Sequence, residues 1–114
     1  MAHFIIIHNE NPNKSWLKAD SPNLNDVVRC KDAWKVVALL KGGNVEDAFR
    51  DTNHIDCAWW ENRSIIAHKE ARSTSVGDIV VNLEDGNASQ VDGCGWVDLG
   101  VLTVDARIEL KGRL

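Results

Sequence analysis

The residues best able to do chemistry lie in one run, Arg72-Ser73-Thr74-Ser75-Val76-Gly77-Asp78, which passes directly into the apolar Ile79-Val80-Val81. Arg72 offers a forked cation matched to carboxylate or phosphate, and Ser73, Thr74 and Ser75 add hydroxyls beside it. Gly77 can take backbone angles closed to other residues, so a polar loop can turn sharply into a strand there. If the backbone amides of that turn line up, they and Arg72 would hold an anionic group through charge-assisted bonds. That chemistry is recognition, with no reaction implied. The same residue types also build ordinary polar strand starts, because Ser and Thr bond their own backbone at turns.

A second constellation is Trp59-Trp60-Glu61-Asn62. Two indoles in a polar loop suit anchoring on a partner surface or stacking on bases. Adjacent side chains of an extended segment face opposite ways, so one indole can complete the core while the other faces a partner. Trp96, framed by Gly93 and Gly95, is a further candidate, at a bulge or bend where backbone can be approached closely. No complete catalytic set is legible, and no catalytic residue, cofactor or metal is assigned. His54, Asp56, Cys57 and His68 match no zinc spacing, and neither Cys57 nor Cys94 has a partner histidine that the sequence identifies. The nucleotide-cradling patterns G-x-x-x-x-G-K-[ST] and G-x-G-x-x-G are absent.

The elements that must position these residues follow from periodicity and punctuation. His3 to His8 reads as a short buried strand around Ile5-Ile6-Ile7, and Trp34 to Leu40 as a central strand ended by Gly42-Gly43. Residues 9 to 25, rich in Asn, Asp and Ser and holding both prolines, read as a long loop, and Asn25 to Lys31 as a helical turn. The clearest helix is 44 to 53: Val45, Ala48, Phe49 and Thr52 share one face, Asn44 caps it with Asp47 returning the bond, and Glu46 pairs with Arg50. Residues 54 to 71 lack periodicity and read mostly as ordered loop. Asp78 to Glu84 and Ala88 to Asp92 form a hairpin across Asp85-Gly86-Asn87. From Leu102 to Leu110 the strict alternation of apolar and polar residues predicts a strand with one face in the core.

These elements predict an α+β fold: one small domain spanning 1–114, mainly antiparallel sheet, with the 44–53 helix packed on it. A chain of 114 residues with 44% hydrophobic and 26% charged content can bury a core and is not disordered by composition. A net charge of −4 argues against nonspecific binding to nucleic acid or an anionic membrane. Cys30, Cys57 and Cys94 make a poor disulfide framework, the longest apolar runs fall far below the ~20 residues of a spanning helix, and the start lacks a basic, apolar leader. The expectation is a cytoplasmic protein without membrane contact, in the cytoplasm of a host cell if a phage encodes it.

Taken together, the helix end Ala48-Phe49-Arg50-Asp51-Thr52-Asn53, the Trp60-Glu61-Asn62 loop, Arg72 to Asp78 and Gly95-Trp96 resemble a group of short proteins of phages and plasmids. That group carries an A-F-x-x-T-N helix end and an R-S-T-S-V-G-D segment; the resemblance covers about residues 34 to 100 and leaves the first 33 outside. It implies an accessory protein of a mobile element and marks Thr52, Asn53, Trp60, Glu61, Asn62, Arg72, Ser73, Thr74, Ser75 and Asp78 as shared positions without giving them roles. The expected function is therefore non-enzymatic binding of a host protein, as an inhibitor of host defence, through residues 59 to 62 and 72 to 78. Arg72→Ala or Trp60→Ala would then leave the fold intact and cost at least ~1 to 2 kcal/mol of binding. The alternative is a nucleic-acid or nucleotide binder, since the Gly77-Asp78-Ile79-Val80-Val81 hairpin also resembles small PUA-like or ASCH-like barrels.

Overall fold

Two nearly continuous apolar runs become neighbouring strands because both faces of the sheet they join are covered. The computed structural model describes residues 2–11, 22–53, 58–93 and 95–114. In chain order these form β1 (Ala2–Asn9), α1 (Leu24–Arg29), β2 (Trp34–Gly42), α2 (Val45–Asp51), a 3-10 turn (Trp59–Glu61), β3 (Ile65–His68), β4 (Ile79–Asn82), β5 (Asn87–Asp92), β6 (Gly95–Val101) and α3 (Val104–Lys111). The strands make one six-stranded sheet in the order β3-β2-β1-β4-β5-β6, with every neighbouring pair antiparallel. This is the small α+β architecture that the sequence predicts.

Alternate residues of β1 serve opposite faces. Ile5 and Ile7 pack with Val36, Ile79 and Val81 beneath α1 and α3, whereas Phe4 and Ile6 pack with Leu40, Val80 and Trp59 beneath α2. Helix α2 begins where expected: the Asn44 side chain accepts from the Asp47 amide at 2.9 Å, and Asp47 returns a bond to the Gly43 amide at 3.1 Å. Ala48 and Thr52 are buried on its inner face. Arg50 pairs with Asp47 at 3.0 Å and Asp51 at 3.5 Å, in place of the expected Glu46, while the other Asp47 oxygen accepts from the Gly43 amide.

The largest correction concerns the chain after Leu102. The alternating run is not a strand but α3, with Thr103 capping it by accepting from the Ala106 amide at 3.2 Å. Leu102, Ala106 and Leu110 recur every four residues and face the core, while Val104 and Ile108, the other apolar members of the alternation, are 61% and 66% exposed. A spacing of four satisfies the helix period as well as the strand period, and the capping threonine decides between them. The strand that closes the sheet instead lies just before, as β6, where the glycines around Trp96 mark a hairpin with β5 in place of a simple bend.

Smaller corrections follow the sheet order. β2 is next to the edge, and β1 and β4 are the central strands. Within 58–71 a 3-10 turn and edge strand β3 interrupt the expected loop, which keeps the other half of these residues. The expected loop from 9 to 25 begins later and ends sooner, since Asn9 closes β1 and Leu24 opens α1; residues 12–21 lie outside the described residues, as do His54, Asp56, Cys57 and Cys94.

Candidate functional site

Asp78 organises the Arg72–Asp78 segment. Its carboxylate has no solvent exposure and accepts four bonds: from the Asn9 amide at 2.7 Å, the Ser75 amide at 2.8 Å, and Arg72 Nη1 and Nη2 at 2.6 and 2.8 Å. The two-pronged guanidinium contact is the strong geometry for this pair. Arg72 further donates to the carbonyls of Ser73 and Asn9 at 3.0 and 3.2 Å and lies 3.6 Å from Glu10. The hydrogen bond to Asp78 raises its pKa above the ordinary arginine value, against the opposing effect of burial.

The rest of the run is held just as firmly. The Thr74 amide donates to the Thr52 carbonyl at 2.8 Å, and Asn53 Nδ2 donates to the Thr74 carbonyl. Thr74 Oγ1 lies 3.1 Å from His8 Nε2, both fully buried. Gly77, at φ +95°, turns the chain so that its amide reaches the Val91 carbonyl at 2.8 Å, and Gln90 Nε2 donates back to the Gly77 carbonyl at 3.1 Å. Trp59 is buried, and its indole N–H is shared between the carbonyls of Ala71 and Arg72 at 3.0 and 3.1 Å. The A-F-x-x-T-N helix end, Trp59 and the R-S-T-S-V-G-D segment are thus parts of one brace tying α2, β1 and β5 together.

This placement reassigns the donors expected to meet a ligand. Thr74 and Asp78 have no exposed surface, and Arg72 spends both terminal nitrogens inside the chain. Ser75 Oγ accepts from Arg72 at 3.3 Å, and Ser73 is half-buried. The expectation that Arg72→Ala spares the fold therefore fails on geometry, because it would strand a buried carboxylate. Asp78 itself was the missed partner, although it stands only six residues away and Gly77 beside it supplies the turn that folds it back.

The remaining candidates lie on the α2 face of the sheet. Trp60 is half-buried and stacks on His68 at 5.9 Å with planes 19° apart, while Glu61 is exposed. Asn62 turns inward and accepts from the Ser64 amide and hydroxyl at 3.1 and 3.0 Å. Trp96 meets Phe49 edge to face, with centroids 6.0 Å apart. Between α2 and the β5–β6 hairpin these two rings, with Val76 and Val91, line a groove of about 370 Å³ whose rim carries Glu46 and Asp92. Val76 belongs to the braced segment, so the brace forms one wall of the groove.

Among the described residues, no group of three or more His, Cys, Asp and Glu side chains is arranged to hold a metal, and no helix is long and apolar enough to cross a membrane. Comparison with family models, with curated proteins and with solved structures gives no match.

Proposed function

We propose that this chain is a non-enzymatic binding protein that takes an apolar side chain of a partner protein, flanked by Lys or Arg, into the groove between α2 and the β5–β6 hairpin. The observation that carries this reading is the groove itself: two aromatic rings in edge contact, apolar walls, and the carboxylates Glu46 and Asp92 at the rim. Aromatic anchors in a partly desolvated pocket supply most of the energy of protein recognition, and rim charges steer and select the partner. The brace contributes by stiffening one wall, so less ordering is left to be done on binding.

The resemblance to mobile-element proteins makes a host protein the proposed partner, and interference with a host defence the proposed consequence. Enzymatic activity is not part of the proposal, because Thr74 and Asp78 are sealed from solvent and Arg72 is committed to holding Asp78. The nucleic-acid alternative placed phosphate on Arg72 and the neighbouring hydroxyls, and of these Arg72 is engaged on Asp78 and Thr74 is buried.

The test is a tagged pull-down from nuclease-treated bacterial lysate with wild type, Trp96→Ala, Glu46→Lys and, as a control on the other face of the sheet, Ile108→Ser. The recovered protein is then titrated against each variant. The expected result is one partner bound equally by wild type and Ile108→Ser, and at least about tenfold more weakly by Trp96→Ala and Glu46→Lys. Full affinity in Trp96→Ala would discard the groove.

A further inference from the structure

Four cations from four separate parts of the chain converge on one cavity beside the start of β2. Lys31 comes from the turn after α1, Lys35 from β2, Lys69 from just beyond β3 and Arg113 from just beyond α3. Their cavity measures about 240 Å³, and its remaining lining is Trp34 and Val36, which are 6% and 2% exposed. Among the described residues no carboxylate lines it. In a chain of net charge −4, a cavity walled by four positive charges over an apolar floor is a local reversal of sign.

The usual structural explanations account for only part of this cluster. Among the described residues Lys31, Lys35 and Lys69 form no ion pair, so they are not there to neutralise neighbouring acids. Arg113 Nη2 caps α1 by donating to the Val28 carbonyl and also reaches Glu109 at 3.0 Å. Its other two nitrogens, Nε and Nη1, are buried and have no partner among the described residues. With no partner for these two nitrogens and no ion pair for the three ammonium groups among the described residues, the positive charge of the cavity is left for an anion to compensate.

An arginine charge with three ammonium groups around it is a donor set that suits phosphate oxygens. The cavity holds roughly eight water volumes of about 30 Å³ each, room for two phosphoryl groups. Trp34 is nearly covered, which leaves little indole surface for a base to stack on. We propose that this cavity binds a diphosphate group, either as free pyrophosphate or as the diphosphate of a nucleotide. The site lies apart from the groove between α2 and the β5–β6 hairpin, with no lining residue in common.

Calorimetric titration of the full chain with sodium pyrophosphate at low ionic strength tests the proposal, with acetate as the anion control and ADP as a second arm. One saturable site that weakens with added salt is expected. Lys35 and Lys69 are exposed and unpaired, so Lys35→Ala and Lys69→Ala should fold normally, weaken binding several-fold each and at least about tenfold together. Equal affinity for pyrophosphate and ADP would support the free diphosphate as ligand, and tighter ADP binding the nucleotide. Trp96→Ala should bind pyrophosphate as wild type does, which separates this site from the protein-binding groove. The proposal is overturned by the absence of a saturable signal with pyrophosphate, by acetate binding equally well, or by unchanged affinity in the double lysine variant. An oligonucleotide held by the same lysines and not displaced by pyrophosphate would also overturn it, in favour of an extended polyanion.

Discussion

Removing the Arg72 side chain should destabilise the whole fold, and the magnitude follows from what Asp78 would lose. Arg72→Ala deletes two of the four bonds to a carboxylate with no solvent exposure and leaves the Asn9 and Ser75 amides on it, with His8 Nε2 3.8 Å away. Stranding one partner of a buried pair costs about 3 to 5 kcal/mol. Because the Arg72 side chain is itself 31% exposed, water can follow into the vacated space, which places the expected loss near the lower limit, about 3 kcal/mol. Urea unfolding followed by tryptophan fluorescence reads this directly, since the Trp59 indole bonds the Arg72 carbonyl. With a slope of about 1 to 3 kcal/mol per molar, the midpoint should fall by roughly 1 to 3 M at unchanged slope. In the Asp78→Asn background the buried charge is gone, so Arg72→Ala should cost about 1 kcal/mol, giving a coupling of about 2 kcal/mol. The sign of the pH dependence is also set. The folded-state pKa of Arg72 is raised, so its stabilisation is complete below the unfolded arginine value and lost only as pH climbs through the higher folded value. The Arg72 contribution should therefore be flat between about pH 6 and 9. A loss under ~0.5 kcal/mol, or additive single and double variants, would refute the brace.

Two further predictions bear on the fold. If the chain after Leu102 is a helix, Leu110→Ala should cost about 2 to 5 kcal/mol and Ile108→Ala under ~0.5, as judged by their urea midpoints, whereas a strand would bury both alike. Gly86 has φ +82°, and an added Cβ would stand 2.5 Å from the Leu102 carbonyl oxygen, so Gly86→Ala should lower stability by more than about 2 kcal/mol in thermal unfolding. Wild-type stability in that variant would mean that the β4–β5 turn and the start of α3 do not pack as described.

The sequence by itself determined the pieces whose physics is local. The apolar run of β1, the Gly42-Gly43 stop of β2, the Asn44 cap of α2 and the Gly86 turn each depend on interactions within a few residues, and each is found where those residues predict it. Where two periods fit equally, as from Leu102 to Leu110, the hydrophobic pattern could not decide, and the Thr103 cap together with packing of a four-residue spacing beneath the sheet did. The role of the R-S-T-S-V-G-D run was likewise beyond reach of its composition. An arginine, hydroxyls and a glycine describe an anion site and an internal brace equally well, and burial of Asp78 against Asn9, across 69 residues of chain, selects the brace. The cation cavity has no motif at all, and the groove at Trp96 is assembled from pieces of several. Their walls come from segments that only the order of strands in the sheet brings side by side, because charge and apolar surface act through distance in space and carry no memory of distance along the chain.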